Sequence, residues 1–390
     1  MAGQRLQITL EPGVLRWARE RAALSADDLA GKMQVKPERV LAWEHSGDIT
    51  MAQSRRLAVA TYTPHGYLFL SEPPDDDLPI ADFRTRNDEP LRRPSPNLLD
   101  TVYSMQRRQE WMRDEVIRQY EEPPLPFVGG FTITDDPSRV AEAMRDALGI
   151  ADGWAASVLN WSAALSHLRD KSEDAGILVV FNGVVGNNTH RKLDPEEFQG
   201  FALVDEYAPL IFVNNADFKA AQMFTLAHEL VHVFIGETGV SHLQDMQPTA
   251  DVTEQFCDKA AAEFLVPEGQ LRAFWNRSQW SRDPYSTIAR HFKVSSIVAA
   301  RRALDLDLID RVTFLDFYEE HKNAEWATVQ TAQGGGNFWI NQIWRVGPRF
   351  ASTVFCAVKE GRLTYIDAYS LTDLKGDTFE NIPDHMEVIR

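Results

Sequence analysis

The sequence is poor in cysteine and has no long hydrophobic run. Only Cys257 and Cys356 occur among 390 residues, which excludes a disulfide framework and agrees with a reducing compartment. No apolar stretch is long enough for a signal peptide at the N-terminus or for a membrane span elsewhere. We therefore expect a cytoplasmic protein without a membrane partner.

A surplus of basic residues is also missing. The net charge of −17 argues against a protein that coats nucleic acid non-specifically, because that mode of binding needs excess Lys and Arg. Residues 1–70 differ, since nine Lys or Arg and seven Asp or Glu give them about +2 and leave about −19 on the remainder. Any contact with DNA is therefore expected in this N-terminal segment.

Residues 1–70 are predicted to form a small all-helical domain. One helix follows Pro12, a second follows the N-cap residue Ser25, and a third begins at Pro37 and ends at Gly47. Two short helices joined by a tight turn are typical of a helix-turn-helix, whose second helix enters the major groove. The alternative is a helical module that binds protein, for example a related fold in a substrate.

In the DNA-binding interpretation, the residues near base edges lie at the start of the third helix, and phosphate contacts come from the helix after it. The candidate base-reading residues are Lys36, Glu38, Arg39 and Ala42, and the candidate phosphate contacts are Arg55 and Arg56. Trp43 is expected in the core instead.

A chain of 390 residues is too long for one compact core of usual size, so two to four domains are expected. Six prolines and three consecutive aspartates make residues 71–97 a linker or strap. A mixed α/β core is predicted for 98–270, with strands at 176–186, 200–205 and 209–215 and helices at 137–148, 217–235 and 252–265. The strand 209–215 is a candidate sheet edge for pairing with an extended substrate.

Two further segments follow the core. Residues 271–324 are predicted to be a structural helical extension that resembles a helix-turn-helix. Residues 325–390 are predicted to form a small C-terminal α+β domain, because "STVFCAV" and "RLTYIDAY" are strand-like and "GGGNFWINQIWRVG" is interpreted as a turn into a strand. The latter lacks the spacing of a phosphate loop, so no nucleotide site is expected.

The stretch "FTLAHELVHVFIG" carries two histidines at helical spacing. His228 and His232 lie on one face of a helix and can present both imidazoles to one ion, with Glu229 beside them to accept a proton from water. Hydrolytic zinc sites need a third protein ligand and an open position. Glu254 supplies that ligand if 252–265 is helical, and Asp258 on the same face is expected to bind the second nitrogen of a ligating histidine.

Two alternatives remain open for this motif. The histidines could be half-buried core residues of an apolar helix, or the protein could bind zinc (Zn2+) without hydrolysing anything. For the oxyanion of a tetrahedral intermediate, His190 and His242 are candidate donors, although no spacing argument places either residue at the site.

The blocks "GFALVDEYAPLIFVNN", "FTLAHELVHVFIG" and "EQFCDKAAAEFLVP" resemble, in order and spacing, the ImmA/IrrE family of bacterial zinc metallopeptidases. The likeness extends to "YSTIARHFKVSSIVAARRAL", to the strap "LPIADFRTR" and to a lambda-repressor/Cro-type helix-turn-helix head. It implies that His228, His232 and Glu254 are zinc ligands and that Glu229 is the general base. Members often have Asn where this chain has Asp258, so the role of that residue rests on the generic peptidase pattern.

The resemblance implies an α+β multidomain fold, with an all-α head, a zincin-like mixed α/β core and a small C-terminal domain. It also implies a cytosolic zinc endopeptidase that cleaves a repressor or antitoxin-like protein and so controls stress or phage-related genes. Operator DNA is the expected partner of the head, and a homodimer is a candidate assembly. The competing interpretation is a transcription regulator or toxin-antitoxin component whose zinc core is a scaffold for binding or sensing.

Overall fold

The computed structural model describes residues 6–82, 93–216, 219–241, 251–331 and 337–386. The chain divides into two compact units. The N-terminal unit comprises Met1–Pro79 and Arg92–Val102, and the main unit comprises Ile80–Leu91 and Tyr103–Arg390. No helix in the described part of the chain combines the length and apolar character needed to cross a membrane.

Four helices and a short antiparallel strand pair form the N-terminal unit. The elements are β1 (Gln7–Thr9), α1 (Pro12–Arg21), α2 (Ala26–Met33), α3 (Pro37–Ser46), β2 (Asp48–Thr50) and α4 (Met51–Ala60), followed by a 3₁₀ turn at His65–Phe69. The helices predicted behind Pro12, Ser25 and Pro37 are confirmed. The Ser25 side chain accepts from the Asp28 N–H while Asp28 accepts from the Ser25 N–H, a reciprocal cap that fixes the start of α2.

Gly47 ends α3 in a conformation that only glycine tolerates. Its φ of 75° is left-handed, and a Cβ there would lie 1.9 Å from the Leu10 carbonyl oxygen. The close approach lets β2 turn back beside β1. Buried apolar side chains from all four helices then fill the centre of the unit, among them Leu15, Leu29, Met33, Val40, Trp43 and Leu57.

A five-stranded mixed sheet forms the centre of the main unit among the described residues. Its strands are β3 (Ala81–Asp82), β4 (Leu178–Asn182), β7 (Gly200–Leu203), β8 (Leu210–Asn214) and β9 (Gly239–Ser241), in the order β3-β9-β7-β8-β4. Strand β7 is antiparallel to β8 and β9, whereas β4 is parallel to β8 and β3 is parallel to β9. A separate hairpin contains β5 (Val184–Val185) and β6 (Asn188–Lys192).

The prediction that 209–215 is a sheet edge is wrong. Strand β8 pairs with β7 on one side and with β4 on the other, so its backbone groups are already used by the sheet. Asn214 is buried and its side chain donates to the Phe198 carbonyl, and Phe212 stacks on Phe201, so both side chains of this strand have structural roles.

Helices surround the sheet. The long α5 (Pro96–Glu115) crosses the boundary between the units and continues as a π-turn at Val116–Tyr120. The others in the core are α6 (Pro137–Leu148), α7 (Trp154–Ser157), α8 (Trp161–Asp174), α9 (Lys219–Ile235) and α10 (Val252–Leu265). The predicted strands and the predicted helices at 137–148, 217–235 and 252–265 are confirmed as α/β core elements, with boundaries shifted by a few residues.

Helix α9 is buried on nearly all sides because it is enclosed by the sheet and by other helices. It packs against β7 and β8 and against α6, α8 and α10. Leu226, Ala227, Leu230, Val231 and Phe234 are all fully buried. A helix without a polar face is expected only where every side is covered, and this enclosure places the two histidines of α9 inside the core.

The C-terminal half of the main unit is helical throughout its described residues. It contains α11 (Glu268–Ser278), α12 (Pro284–Phe292), α13 (Ser296–Asp305), α14 (Arg311–Thr331), α15 (Phe338–Val346), α16 (Pro348–Lys359), α17 (Tyr365–Thr372), α18 (Asp377–Glu380) and α19 (Ile382–Met386). Arg302 of α13 donates to the Val266 carbonyl and pairs with Glu263, which supports a structural interpretation of the 285–304 segment.

The predicted C-terminal α+β domain is wrong in its strands. "STVFCAV" lies within α16, and "YIDAY" forms the first part of α17. In "NFWINQIWRVG", the residues from Phe338 to Val346 form α15. Residues 337–386 therefore contain helices and turns where strands were predicted. Val354 and Ala357 are buried one helical turn apart and Phe350 is buried one turn before them. Packing of this helical stripe overrides the β propensity of Val, Phe and Thr.

Glu173, near the end of α8, supports the first turn of α16. Its Oε2 accepts the backbone N–H of Arg349 at 3.1 Å, and burial raises the pKa of this carboxyl to about 8 although Arg169 opposes the shift. Since the folded-state pKa lies above the unfolded one, its contribution is fully present at low pH and is lost as the pH rises toward 8.

We therefore predict that Glu173→Gln removes part of the pH dependence of stability. The wild type should lose on the order of 3 kcal/mol of unfolding free energy between pH 5 and pH 8 through this group, and the variant should not. Urea unfolding at several pH values measures this, with exposed Glu142→Gln as the control. Parallel curves for the wild type and Glu173→Gln would contradict the assignment.

Candidate metal site

Helix α9 brings the two histidines of the motif face to face inside the core. His228 and His232 are fully buried, and their Nε2 atoms are 3.1 Å apart. One turn of helix separates the two residues, so their side chains leave the same face of α9. Two buried imidazole nitrogens this close together are better explained by a shared ion than by two histidines that pack independently in the core.

Glu254 completes a group of three converging donors. Its Oε1 is 3.0 Å from His232 Nε2 and its Oε2 is 3.2 Å from His228 Nε2. The carboxyl of Asp251 caps α10 by accepting the N–H groups of Thr253 and Glu254, which fixes this first turn. Tetrahedral zinc with bonds of about 2.1 Å would separate its donors by about 3.4 Å, so the three residues fit such an ion after small adjustments.

Asp258 holds the ring of His228 in orientation. Its Oδ1 lies 3.0 Å from His228 Nδ1, one helical turn after Glu254. When Nδ1 donates this hydrogen bond in the neutral ring, the lone pair of Nε2 is available to a metal ion shared with Glu254. The second-nitrogen contact predicted for Asp258 is therefore present in the structure.

Electrostatics bind these groups together. Burial would raise the pKa of Glu254, but the charge of His228 and hydrogen bonds from both histidines outweigh it and lower the pKa to about 2. Burial also works against a charged His228, yet Glu254 and Asp258 together raise its pKa. For His232 burial prevails and the pKa falls. The cluster thus strongly favours an ionised Glu254 beside positive charge, which is the preference of a cation site.

Glu229 lies next to the three donors but does not join them. It is fully buried, and neither carboxylate oxygen accepts a well-formed hydrogen bond from the residues that the structure describes. Burial raises its pKa to about 8, and the charge of His228 and a contact with the Ser241 hydroxyl oppose the shift. A buried carboxyl without a well-formed hydrogen bond is costly, so its position calls for a chemical explanation.

Gly200 of β7 provides the space that Glu229 occupies. A Cβ at this position would lie 2.8 Å from Glu229 Oε1, 2.7 Å from Thr225 Cγ2 and 3.0 Å from the Phe212 carbonyl oxygen. Only a residue without a side chain lets the strand and the carboxylate approach this closely. Gly200 therefore positions Glu229 through the packing of β7 against α9.

Two residues of the site were not predicted from the sequence. Ser241, at the end of β9, is buried with its hydroxyl 3.4 Å from His232 Nε2. Cys257 is also buried, and its thiol lies within 4.8 Å of ligand nitrogens of both His228 and His232. The position of Cys257 three residues after Glu254, on the same helical face, could have indicated from the sequence that it lies near the site. The sequence offered no such indication for Ser241, because β9 approaches α9 only through the pairing of strands in the sheet.

The other sequence candidates lie elsewhere. In the N-terminal unit, Arg39 is exposed above the ring of Trp43, which is buried in the core as predicted, and Arg56 donates to the Met33 carbonyl. Lys36, Glu38, Ala42 and Arg55 are exposed too. His190 is exposed on β6, outside the metal cluster, whereas His242 lies outside the described residues.

The family comparison agrees with this site. Residues 172–304 match the IrrE N-terminal-like domain, a family of metal-dependent peptidases, and the matched range contains α9 and α10 entirely. Residues 346–384 match a domain of unknown function, DUF8813. No curated protein sequence matches the chain. The resemblance to the ImmA/IrrE family is thus supported for residues 172–304.

Proposed function

We propose that this protein is a zinc-dependent endopeptidase. The observation that carries the proposal is the three-donor group of His228, His232 and Glu254, beside which Glu229 is buried without a well-formed hydrogen bond. Two histidines and one carboxylate leave a tetrahedral zinc ion with an open position, which is the donor set of hydrolytic sites. The peptidase family matched by residues 172–304 supports the same chemistry.

The side chains have distinct roles in this proposal. A zinc ion bound by His228, His232 and Glu254 would act as a Lewis acid toward water and the peptide carbonyl. Asp258 orients His228 through its Nδ1 hydrogen bond. The Glu229 carboxylate accepts a proton from the attacking water and delivers it to the leaving amine nitrogen. The Ser241 hydroxyl lies near His232, but this proposal gives it no role in proton transfer.

We further propose that the substrate is a regulatory protein of the repressor or antitoxin class and that the N-terminal unit binds operator DNA. The exposed start of α3, with Lys36, Glu38, Arg39 and Ala42, supports a recognition helix. Because these residues include both acidic and basic side chains, they favour sequence-specific contacts with bases over a purely electrostatic attraction to the phosphate backbone. The cytoplasm is the compartment in which such targets occur.

A second candidate function rests on Cys257. A thiolate there, added to His228, His232 and Glu254, would give four protein donors and a closed zinc site that stabilises the fold or senses thiol chemistry without turnover. The two functions differ in what they require of Glu229. Hydrolysis needs its carboxylate, whereas a closed structural site does not.

Substitutions separate metal binding from catalysis. Glu229→Gln should keep one zinc per chain and abolish cleavage, because the amide cannot accept the proton, whereas Glu254→Gln should weaken zinc binding by about tenfold or more. Metal analysis of purified protein gives the first readout. A search for new protein N-termini in the native host, comparing wild type with Glu229→Gln, gives the second. Identical N-termini in both strains under several stresses would favour the closed site.

Gly200→Ala tests the packing of Glu229. The added methyl must displace the carboxylate or β7, so cleavage of the substrate found above should fall on the order of a hundredfold, while zinc content stays at one per chain. Gly269→Ala is the matched control, since a Cβ there meets nothing within 4 Å. Full activity of Gly200→Ala would show that the mechanism does not depend on the close packing of Glu229 against β7.

Arg39→Ala tests DNA binding by the N-terminal unit. Loss of a base-edge contact should weaken operator binding about tenfold and reduce its salt dependence, as measured by titration at several salt concentrations. Arg16→Ala makes the same change of charge on α1 and should matter less. Unchanged binding by Arg39→Ala would support the protein-interaction alternative for this unit.

A further inference from the structure

The main unit contains a cavity of about 590 Å³ that shares no residue with the metal cluster. It lies between α8, the end of α5 and the C-terminal helices α15 and α16. Its lining includes the apolar side chains of Met112, Val116, Ile343, Pro348 and Met386. Arg169 and Arg349, together with four acids, also line it. A cavity of this size, with apolar walls and a few convergent polar groups, has the character of a small-molecule site.

Arg169 is the buried polar group at the base of this cavity. The residue is 1% exposed, and its guanidinium lies 4.5 Å from the centre of the Trp344 ring. Nε and Nη2 donate to Asp170 Oδ1 at 2.9 and 2.6 Å. The third nitrogen, Nη1, is buried and finds no acceptor among the described residues. A buried cationic donor without an acceptor is costly unless something else accepts from it.

Arg349 presents a second such donor to the same cavity. Its Nη2 is 3.3 Å from Glu122 Oε2, while its backbone N–H is bound by Glu173. Its Nε is buried and likewise has no acceptor in the described part of the chain. Each guanidinium therefore has one side neutralised by an acid of the protein and one N–H left over.

The surrounding charge limits what can bind. Asp170 and Glu122 pair with the two arginines, the buried Glu173 lines the same cavity, and Asp174 is exposed beside them, so acids outnumber arginines in the lining. A polyanion such as a nucleoside triphosphate would meet these carboxylates. One acceptor group of a single charge can satisfy two N–H donors without that repulsion.

We propose that this cavity binds a small amphiphilic monocarboxylate, with the carboxylate accepting from Arg169 and Arg349 and the apolar body packed against Met112, Val116 and Ile343. The site lies apart from the metal cluster, and its test is independent of whether the protein is a peptidase. The ligand class follows from two buried N–H donors without an acceptor among the described residues and from the apolar side chains that line the same cavity.

Calorimetric titration of the full-length protein with octanoate and phenylacetate tests the proposal. Octanol has the same apolar body as octanoate without the charge, and inorganic phosphate has the charge without the body. We expect both carboxylates to bind, and octanol and phosphate to bind at least about tenfold more weakly. Only the carboxylates combine a charged acceptor for the arginine N–H groups with an apolar body for the apolar side chains. A ligand at ten times its Kd should also raise the Tm by about 2 °C.

Two variants locate the site. Arg169→Met and Arg349→Met should each weaken octanoate binding about tenfold or more, and exposed Arg139→Met on α6 should not. Arg349 is 26% exposed at its side chain, so its variant is expected to fold even if loss of the buried Arg169 disturbs α8. Equal binding of octanoate and octanol would overturn the proposal. So would tighter binding of phosphate than of either carboxylate, or full affinity in a folded Arg349→Met variant.

Discussion

Burial of ionisable groups on one enclosed helix is the constraint on which the main unit depends. Helix α9 carries His228, Glu229 and His232 at positions with no solvent contact. Such groups are tolerated in a core only when neighbours supply charge and hydrogen bonds. Helix α10 supplies both through Glu254 and Asp258, and its start is fixed by a separate cap. The packing of α10 on α9 is therefore set by electrostatics as well as by apolar contact.

The sheet meets the same constraint from the other side. Strand β7 approaches α9 closely because Gly200 has no side chain, and this gives Glu229 its place beside the donors. Strand β9 brings the Ser241 hydroxyl to His232. A larger residue in β7 would clash with the Glu229 carboxylate. Sheet and helices together hold Glu229 apart from the three converging side chains of His228, His232 and Glu254.

Local sequence signals predicted much of this arrangement. The cap at Ser25, the Pro37 helix start and the His228–His232 spacing depend on nearby residues, and the structure has the corresponding elements. The failures involve distant contacts. Strand order is set by pairing between remote segments, so the interior position of β8 was not visible in the sequence. The strand-like residues of α16 are helical because burial of Val354 and Ala357 on one face decides the matter.

The weak hydrogen bonding of the buried Glu229 bears on the choice between an open and a closed metal site. A closed site with Cys257 as a fourth donor would gain nothing from a carboxyl buried beside it without a well-formed hydrogen bond, and would carry the cost of that burial. An apolar residue of similar size would serve such a site better. A hydrolytic site has a use for this group, because a carboxylate held close to the metal and out of its coordination is what proton transfer requires. The cost of burying Glu229 therefore favours catalysis over a purely structural role.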